Sequence, residues 1–288
     1  MVRTKAKTKS SKATQRVGFQ GERGAFSETA ALKMVKGSLD LVPYPSFLEL
    51  FRALAAGRIH YATVPIENTL AGSVHENYDH LLKYRLPILA ETRVRIVHNL
   101  IAAPSVRFSA VRRVFSHPVA LQQCKVFLDK HRRQLQPVTY YDTAGSVKMV
   151  VAEKLTDGAA IAGKSCAAIY GGRILARDIG DDPANYTRFF LLAPRSAAKR
   201  LSTGTKTSIV FATRNVPGAL FRCISVFALR DINLTKIESR PIVGRPFEYI
   251  FYLDFIGNPA ESAAANALKH LAELTEFVHV LGCYSTVP

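Results

Sequence analysis

Four short polar segments stand where an apolar run of the sequence ends and an amphipathic run begins. They are "GERGAFSE" (21–28), "IENTLAG" (66–72), "SHPVALQQC" (116–124) and "DTAGSV" (142–147). A helix that starts after a strand points unpaired N–H groups and the positive end of its dipole outward, so it attracts anions. In an open α/β sheet such junctions gather at one edge and bind ligands. The candidate ligand-binding residues in these segments are Ser27, Asn68, Thr69, Ser116, His117, Thr143, Ala144 and Gly145.

A fifth segment, "NYTRFFLL" (185–192), begins with four polar residues and continues with four apolar residues. A strand that only filled a core would not begin with an amide, a phenol, a hydroxyl and a guanidinium in succession. The polar end of this strand therefore requires an explanation other than packing.

The residue types exclude several kinds of site. The four cysteines lie far apart and form no C-x-x-C pair, so neither a disulfide framework nor a thiolate zinc site is indicated. His75 and His80 are five positions apart, which on a helix turns them to different faces, so no metal is expected. The sequence contains no recognisable nucleophile with its base, so the site is expected to position and polarise a ligand. The residues alone predict a multiply anionic ligand in a cleft between two lobes. The alternative is a plain helix cap for Ser27 and a plain turn for Asn68, Thr69 and His117.

The net charge of the 288-residue chain is +17. Residues 1–16 carry six basic residues and no acid, and their Lys/Thr/Ser-rich composition predicts a disordered basic tail. The remaining charge of +11 is scattered among acids, without a basic stripe interleaved with aromatic residues, so no nucleic-acid partner is expected. No apolar run is long enough to span a membrane and no secretory signal is recognisable, so we expect a cytoplasmic location without a membrane partner.

From residue 17 to about 194, apolar runs alternate with segments of helical periodicity, which predicts an α/β fold with mostly parallel sheets. The extended stretch 87–103 predicts a crossover between two lobes. We therefore expect one domain at 17–195, with one lobe formed by about 17–97 and 183–195 and the other by 98–182.

The polar, basic segment 195–205 predicts a linker, and the pattern changes after it. The runs "KTSIVFATR", "NLTKIESRPI", "EYIFYLDFIG" and "FVHVLGCY" predict strands, with a helix after the first and another before the last. The order β-α-β-β-α-β is that of a ferredoxin-like unit, which we place at 204–284.

In this order, "VPIENTLAGSV", "SHPVALQQC", "DTAGS" and "NYTRFFLL", followed by the C-terminal unit, resemble the prephenate dehydratases over about residues 17–284. The resemblance implies a bilobed catalytic domain like a periplasmic binding protein, followed by an ACT regulatory domain. It implies that prephenate loses its ring hydroxyl as water and its ring carboxylate as carbon dioxide without a cofactor, giving phenylpyruvate for phenylalanine biosynthesis. Arogenate dehydratases share these motifs, and a sensor without turnover would share the architecture, so both are alternatives.

The resemblance also implies roles for single residues. Thr187 would hydrogen-bond or protonate the leaving hydroxyl, and Arg188 would clamp a substrate carboxylate. The alternative is that Thr187 and Arg188 only cap a sheet edge with an ion pair. Phe189 would pack against the substrate ring, and Asn185 would orient the turn before it.

Two positions depart from the family pattern. Thr69 stands where the family usually has serine, which keeps a hydroxyl. Ala25 stands where the family usually has threonine, so the direct substrate contact of the first loop passes to Ser27 as the better candidate.

In the C-terminal unit, "NVPGALF" and "IESRP" resemble the family elements that bind phenylalanine as a feedback inhibitor. A helix that opens at Gly218 would receive a carboxylate, and Glu238 would meet an ammonium group. The residues assigned by this resemblance are Asn215, Pro217, Gly218, Ala219, Leu220, Glu238, Ser239, Arg240 and Pro241. We expect phenylalanine to bind where two such domains pair edge to edge, and closure of the resulting dimer or tetramer to inhibit the enzyme.

Overall fold

The computed structural model describes residues 14–196, 204–242 and 244–288. The helices are α1 (Phe26–Met34), α2 (Phe47–Ala55), α3 (His75–Tyr84), α4 (Pro118–Gln122), α5 (Lys125–Lys130), α6 (Thr143–Ala152), α7 (Lys164–Tyr170), α8 (Ala219–Ala228) and α9 (Ser262–Leu274). The strands are β1 (Gln15–Gln20), β2 (Leu39–Tyr44), β3 (Tyr61–Asn68), β4 (Gly72–Ser73), β5 (Ile88–Arg95), β6 (Asn99–Ala102), β7 (Arg113–Ser116), β8 (Gln136–Thr139), β9 (Gly158–Ala162), β10 (Arg173–Ala176), β11 (Tyr186–Leu192), β12 (Lys206–Ala212), β13 (Leu234–Ile242), β14 (Arg245–Ile256) and β15 (Phe277–Val287). The bilobed α/β architecture and the C-terminal βαββαβ order that the sequence predicts are confirmed.

Lobe 1 is built on the first sheet. In that sheet β2, β1 and β3 are parallel neighbours, and β11 lies antiparallel between β3 and β5. Helices α2 and α3 pack Leu50, Phe51 and Leu81 against one face, while α1 packs Ala30 and Ala31 against the other. Because both faces are covered, β11 is buried along nearly its whole length.

Lobe 2 is built on the second sheet, in the order β10-β6-β9-β7-β8. Strands β7, β8 and β9 are parallel, but β6 is antiparallel to both of its neighbours, so the sheet is mixed. The chain enters this lobe from β5 to β6, along the extended stretch that predicts a crossover, and returns to lobe 1 at β11. The cleft between the lobes therefore has β11 on one of its walls.

The C-terminal unit has the sheet order β13-β14-β12-β15 of a ferredoxin-like fold. One face packs Phe211 and Leu253 against α8 and α9. The other face packs Val210, Tyr252 and Tyr284 against lobe 1, in one continuous hydrophobic core. The C-terminal unit therefore rests directly on the lobe that carries β11.

Strand β15 leaves the C-terminal unit and joins the sheet of lobe 1. Residues 285–287 pair in parallel with residues 90–92 of β5, beyond the predicted end of the unit at 284. A Cβ at Gly282 would lie 2.4 Å from the carbonyl oxygen of Ile88, so this crossing requires glycine. The sheet of the C-terminal unit and the sheet of lobe 1 consequently form one ten-stranded sheet.

The predicted end of the disordered tail at residue 16 is wrong. Strand β1 begins at Gln15, and the guanidinium of Arg16 contacts Asp40 at 3.1 Å, so residues 14–16 belong to the fold. The rest of the tail, 1–13, and most of the linker, 197–203, lie outside the described residues. No helix of the described ranges is long and apolar enough to cross a membrane.

Residues 118–131 have the periodicity of a single helix, but the structure divides them into α4 and α5. Asp181, from a distant segment, donates its N–H to the carbonyl of Gln123 at 2.8 Å. Its carboxylate accepts the N–H of Val126 at 3.0 Å and so caps the second helix. Because this partner is remote in sequence, helical periodicity alone cannot reveal the break.

Candidate active site

A cleft of about 490 Å³ lies between the two lobes. Six predicted site residues line it: Ser27, Asn68, His117, Thr143, Thr187 and Phe189. The first residues of α1 and α6 also line it, so two helix N-termini face the same space from opposite lobes. The N-terminus of α1 suits an anionic ligand, because it offers N–H groups and a positive dipole end. The N-terminus of α6 is capped by the carboxylate of Asp142, which also lines the cleft.

Thr187 is presented to the cleft by β11, opposite Asn68 on β3 and Val94 on β5. Its side-chain oxygen accepts a hydrogen bond from Nδ2 of Asn68 at 2.9 Å. Since that contact uses the oxygen as an acceptor, the hydroxyl proton is left to donate toward a ligand. Thr187 is only 9% exposed, so this donor is fixed before any ligand enters.

A network of amides joins the two lobes beside Thr187. Nδ2 of Asn68 donates to Oδ1 of Asn185 at 2.7 Å, and Nδ2 of Asn185 donates to Oε1 of Gln123 at 2.9 Å. Gln123 belongs to lobe 2, and its Nε2 donates back to Oδ1 of Asn68 at 3.2 Å. The buried Asn185 thus orients Asn68 and does not line the cleft itself.

Sequence reasoning missed Gln123 and His98, both of which line the cleft. Nε2 of His98 donates to Oε1 of Gln123 at 2.9 Å, and burial lowers the pKa of this histidine, which favours the neutral ring. The signal for Gln123 was present, because His117, Ala120 and Gln123 are spaced three apart and line one wall. His98 follows a strand without any such signal.

Ser116 and Thr69 do not line the cleft, contrary to the prediction. Ser116 is fully buried and donates its hydroxyl to the carbonyl of Ile161 on the adjacent strand at 2.7 Å. Thr69 donates its hydroxyl to the carbonyl of Ala184 at 2.9 Å and accepts the N–H of Tyr186. Both hydroxyls hold neighbouring backbone in place, so they position the site without touching its ligand.

Ala144 and Gly145 are also buried outside the cleft lining. The carboxylate of Asp142 caps α6 and accepts the N–H of Ala144 at 2.7 Å, so that donor is already used. A Cβ at Gly145 would lie 2.6 Å from the hydroxyl of Tyr141. The close approach that this glycine permits is therefore made by Tyr141 and not by a ligand.

Arg188 does not reach the cleft, so the predicted carboxylate clamp is wrong. Side chains alternate across a strand, and Thr187 and Phe189 take the face toward the cleft. Arg188 takes the opposite face, where its Nε lies 2.6 Å from Glu91 and its Nη1 lies 2.6 Å from Asp254 of the C-terminal unit. Of the described residues that line the cleft, none is an arginine or a lysine.

The first loop holds the lobes together on the far side of the cleft. The N–H of Glu22 donates to the carboxylate of Asp142 at 2.9 Å, and Nζ of Lys148 lies 3.1 Å from the carboxylate of Glu22. Tyr170 donates its hydroxyl to the carbonyl of Arg23 at 2.8 Å. Burial raises the pKa of Asp142, while backbone N–H donors, that of Glu22 among them, oppose the rise. These contacts link lobe 1 to lobe 2 beside the cleft.

A second hollow, of about 210 Å³, lies in the C-terminal unit. Its lining includes four residues that the sequence assigns to phenylalanine, together with four aromatic rings: Asn215, Gly218, Ala219, Leu220, Phe221, Phe247, Tyr249 and Phe251. Ser239 and Pro241 pair with Phe251 and Tyr249, which places them on the same face of the sheet. Pro217 lies just before the helix, and its carbonyl accepts from Arg222.

Glu238 and Arg240 lie on the other face of that sheet, against lobe 1. Glu238 accepts hydrogen bonds from Ser73 at 2.5 Å and pairs with His75 at 3.1 Å. Arg240 forms a bidentate pair with Asp79, at 2.8 and 3.2 Å. Within one chain Glu238 therefore does not line the hollow that the helix at Gly218 borders, and its sharing of a ligand across two paired domains stays a prediction.

A family model described as prephenate dehydratase matches residues 17–197. Arogenate dehydratase/prephenate dehydratase 2 of Arabidopsis thaliana, a chloroplastic protein, is 44% identical over 278 residues, which are 93% of this chain and 72% of that protein. The crystal structure of the Arthrobacter aurescens prephenate dehydratase in complex with L-Phe has a TM-score of 0.85 and 33% identity, over 94% of this chain and 90% of that one.

The structure of GqqA, described as a novel type of quorum quenching acylase, has a TM-score of 0.86 and 31% identity, over 95% of this chain and 99% of that one. The family match spans the two lobes that enclose the cleft, and the relatives extend it through the C-terminal unit. The chain belongs to the prephenate dehydratase family.

Proposed function

We propose that the protein catalyses the decarboxylating dehydration of prephenate to phenylpyruvate, as a carbon–oxygen lyase of phenylalanine biosynthesis. The observation that carries the proposal is the hydroxyl of Thr187, fixed by Asn68 and free to donate into the cleft between the lobes. In the reaction the bond to the ring carboxylate breaks and its electron pair enters the ring. The bond to the ring hydroxyl breaks at the same time, and the departing hydroxide takes up a proton from solvent to leave as water.

Thr187 supports this step by donating a hydrogen bond to the departing oxygen. An unaided threonine is a poor acid, so its contribution is polarisation and alignment, not a complete proton transfer. Aromatisation of the ring supplies the driving force, and fixed donors lower the barrier further. Phe189, which is 2% exposed and borders the cleft, packs against the ring.

The two carboxylates of the substrate are held without a cationic side chain from the described cleft lining. The N-terminus of α1 supplies backbone donors and dipole charge, whereas that of α6 is already capped by Asp142. Ser27, His117 and Thr143 add side-chain donors on the same walls. Neutral donors of this kind bind carboxylates while keeping the carboxylate that must leave free of a strong ion pair.

Arogenate is a second candidate substrate, and the charges of the cleft favour it. Arogenate carries an ammonium group where prephenate carries a keto group. Asp142 lines the cleft and is 7% exposed, so it can face an ammonium. The absence of lysine and arginine from the described lining suits the less negative of the two ligands.

An acylase reaction, by analogy with GqqA, finds less support in the cleft. Acyl transfer through a hydroxyl needs an adjacent base to activate it. Thr187 is hydrogen-bonded to the amide of Asn68, which cannot take its proton. The polar groups around it are suited to orienting a ligand.

The test is turnover by the purified chain with prephenate and arogenate in parallel, and with an N-acyl amide as a third substrate. We expect phenylpyruvate from prephenate or phenylalanine from arogenate, separated and measured by chromatography. The matched control is Thr187→Ala, which keeps the fold and loses the donor. Binding of prephenate and arogenate without either product would identify a sensor, and product from the amide alone would identify an acylase.

We also propose that the C-terminal unit is an ACT domain that binds phenylalanine in its hollow and inhibits the enzyme. The hollow combines an aromatic wall with the N-terminus of α8, which suits an aromatic ring and a carboxylate. Phe247 and Phe221 beside it are 80% and 71% exposed, which supports a dimer or tetramer that covers them with a second copy. Sedimentation with and without phenylalanine tests the assembly, and a chain that stays monomeric at both conditions contradicts it.

We propose a cytoplasmic location for the protein. The four cysteines are free and buried, which is compatible with a reducing compartment. Fractionation of the source cells with an antibody to the chain tests the location, and recovery in an organelle contradicts it.

A further inference from the structure

A cluster of buried charges joins β11 to the C-terminal unit, on the face of β11 opposite the cleft. We call it the interface cluster; its members are Glu91 and Arg188 of lobe 1 with Lys206, Ser208, Asp254 and Tyr284 of the C-terminal unit. The charged side chains are between 1% and 9% exposed. The proposed reaction uses none of these six residues.

Arg188 is at the centre of the interface cluster. Its Nε contacts Glu91 at 2.6 Å, its Nη1 contacts Asp254 at 2.6 Å, and its Nη2 donates to the hydroxyl of Tyr284 at 3.0 Å. Its guanidinium lies 4.7 Å above the ring centre of Phe190. Burial alone lowers the pKa of Arg188, but attraction by Asp254, Tyr284 and Glu91 outweighs it, so the group is a fixed cation. An arginine held at every nitrogen fixes the strand that carries it.

The ion pairs cross the interface in both directions. Arg188 of lobe 1 pairs with Asp254 of the C-terminal unit, and Lys206 of the C-terminal unit pairs with Glu91 of lobe 1 at 3.0 Å. Each unit thus supplies one cation and one anion to the cluster. Because these charges are removed from water, loss of one ion pair changes the electrostatic energy of the other.

The position of Arg188 determines the position of Thr187. The two residues are adjacent on β11 and share its hydrogen-bonded register with residues 67 and 68 of β3. That register shifts between Arg188 and Phe189, which marks an irregularity in the strand at this point. A small rotation of the strand at Arg188 would carry the Thr187 hydroxyl away from Asn68 and from a bound ligand.

Strand β14 of the C-terminal unit connects the hollow to the interface cluster. Tyr249 and Phe251 of β14 line the hollow, and Asp254 lies three residues further along β14. Three residues of a strand span about 10 Å. A shift of β14 on binding in the hollow therefore reaches Asp254 through continuous backbone.

We propose that Arg188 is a positioning residue that aligns Thr187, and that Asp254 is the group through which a ligand in the hollow changes that alignment. This inference rests on the proposed dehydratase function and its inhibition by phenylalanine. The structural basis is the pair of contacts that Arg188 makes on one side of β11 and Thr187 makes on the other.

The experiment compares the parent chain with Asp254→Asn and with Asp79→Asn as the matched control. Asp79→Asn breaks another ion pair between the two units, with Arg240, which does not involve β11. For each protein we measure kcat, KM, the phenylalanine concentration that halves the rate, and phenylalanine binding by calorimetry.

For Asp254→Asn we expect kcat to fall by at least about tenfold with KM changed less than about twofold, since misalignment acts on the chemical step. We expect the half-inhibiting phenylalanine concentration to rise by at least about tenfold while the calorimetric Kd changes less than about twofold, because coupling and not binding is lost. Asp79→Asn should keep the parent values. If Asp254 only stabilised the fold, the half-inhibiting phenylalanine concentration of Asp254→Asn would equal that of the parent.

Tyr284→Phe is the milder variant if Asp254→Asn fails to fold. It removes one acceptor of Arg188 and keeps the aromatic packing, so the same changes should appear with smaller size. Parent-like kcat and parent-like inhibition in whichever variant folds would overturn the inference. A parent chain that turns over neither prephenate nor arogenate would instead overturn the proposed function.

Discussion

Thr187 and Arg188 are consecutive residues whose side chains serve opposite faces of one strand. The Thr187 hydroxyl accepts from Asn68 at 2.9 Å on the cleft side. The Arg188 guanidinium contacts Asp254 at 2.6 Å on the side of the C-terminal unit. The strand that carries the proposed donor is therefore also a strand that the C-terminal unit contacts.

Removal of the Thr187 hydroxyl should reduce turnover strongly. Thr187→Ala is expected to lower kcat by about 10²-fold or more, because the leaving oxygen loses its donor. The fold should be intact, because the side chain is small and Asn68 keeps its contacts with Asn185 and the backbone of Tyr186. Steady-state kinetics and circular dichroism measure the two effects. Thr187→Ser restores a hydroxyl and should recover most of the rate; equal rates for parent and alanine variant would remove Thr187 from the mechanism.

The amide network should matter for substrate binding and alignment. Asn185→Ala removes the links from Asn185 to Asn68 and to Gln123 of lobe 2. We expect kcat/KM to fall by about 10-fold to 10²-fold, because each broken contact leaves a buried amide unpaired or misplaced. Tyr186→Phe, which changes only an exposed phenol in the neighbouring position, is the control. If both variants match the parent in kcat/KM, the network does not align the site.

Loss of the Lys206 charge should destabilise the protein. Nζ of Lys206 lies 3.0 Å from Oε1 of Glu91, and its side chain is 8% exposed. Lys206→Met should lower the free energy of unfolding by about 3–5 kcal/mol, the usual cost of leaving a partner charge buried. Arg16→Gln removes an exposed pair with Asp40 and should cost less than about 1 kcal/mol. Urea unfolding measures both, and a Lys206→Met loss no larger than the control would contradict the prediction.

Protonation of Glu91 in acid should lower the free energy of unfolding. Burial raises the pKa of Glu91, but Arg188, Thr286 and Lys206 outweigh it and hold the pKa below its ordinary value of 4.5. A lowered native pKa means that the ionised group stabilises the fold at pH above 4.5, and that this contribution is lost as pH falls through the native pKa. Urea unfolding at several pH values should therefore show the stability gap between the parent and Glu91→Gln shrinking below that range. A difference in unfolding free energy that stays constant with pH would contradict a lowered pKa of Glu91 in the folded protein.

Local signals predicted most elements of the fold. Ser46 precedes α2 and accepts the N–H of Glu49 at 3.2 Å, as expected of a serine that caps a helix. Asp142 caps α6 in the same way. The break after α4 could not be predicted, because Asp181 arrives there from a segment far away in sequence.

The candidate site was predictable where a residue begins a helix at the cleft, and not where its orientation depends on a neighbour. His117 and Thr143 line the cleft as predicted from their places at strand ends. Ser116 is adjacent to His117, yet its hydroxyl is turned to the carbonyl of Ile161 on the next strand. His98 carries no local pattern and joins the site only through contact with Gln123.

By itself the sequence determined the order of the elements, the bilobed and ferredoxin-like units, and the polar junctions that border the cleft, since all of these depend on local periodicity and capping. Only the tertiary structure decided that Thr187 faces the cleft while Arg188 and Glu238 face the interface between the units. The physical reason is that β11 is covered on both faces, so its sequence does not distinguish the face that meets a ligand from the face that meets Asp254.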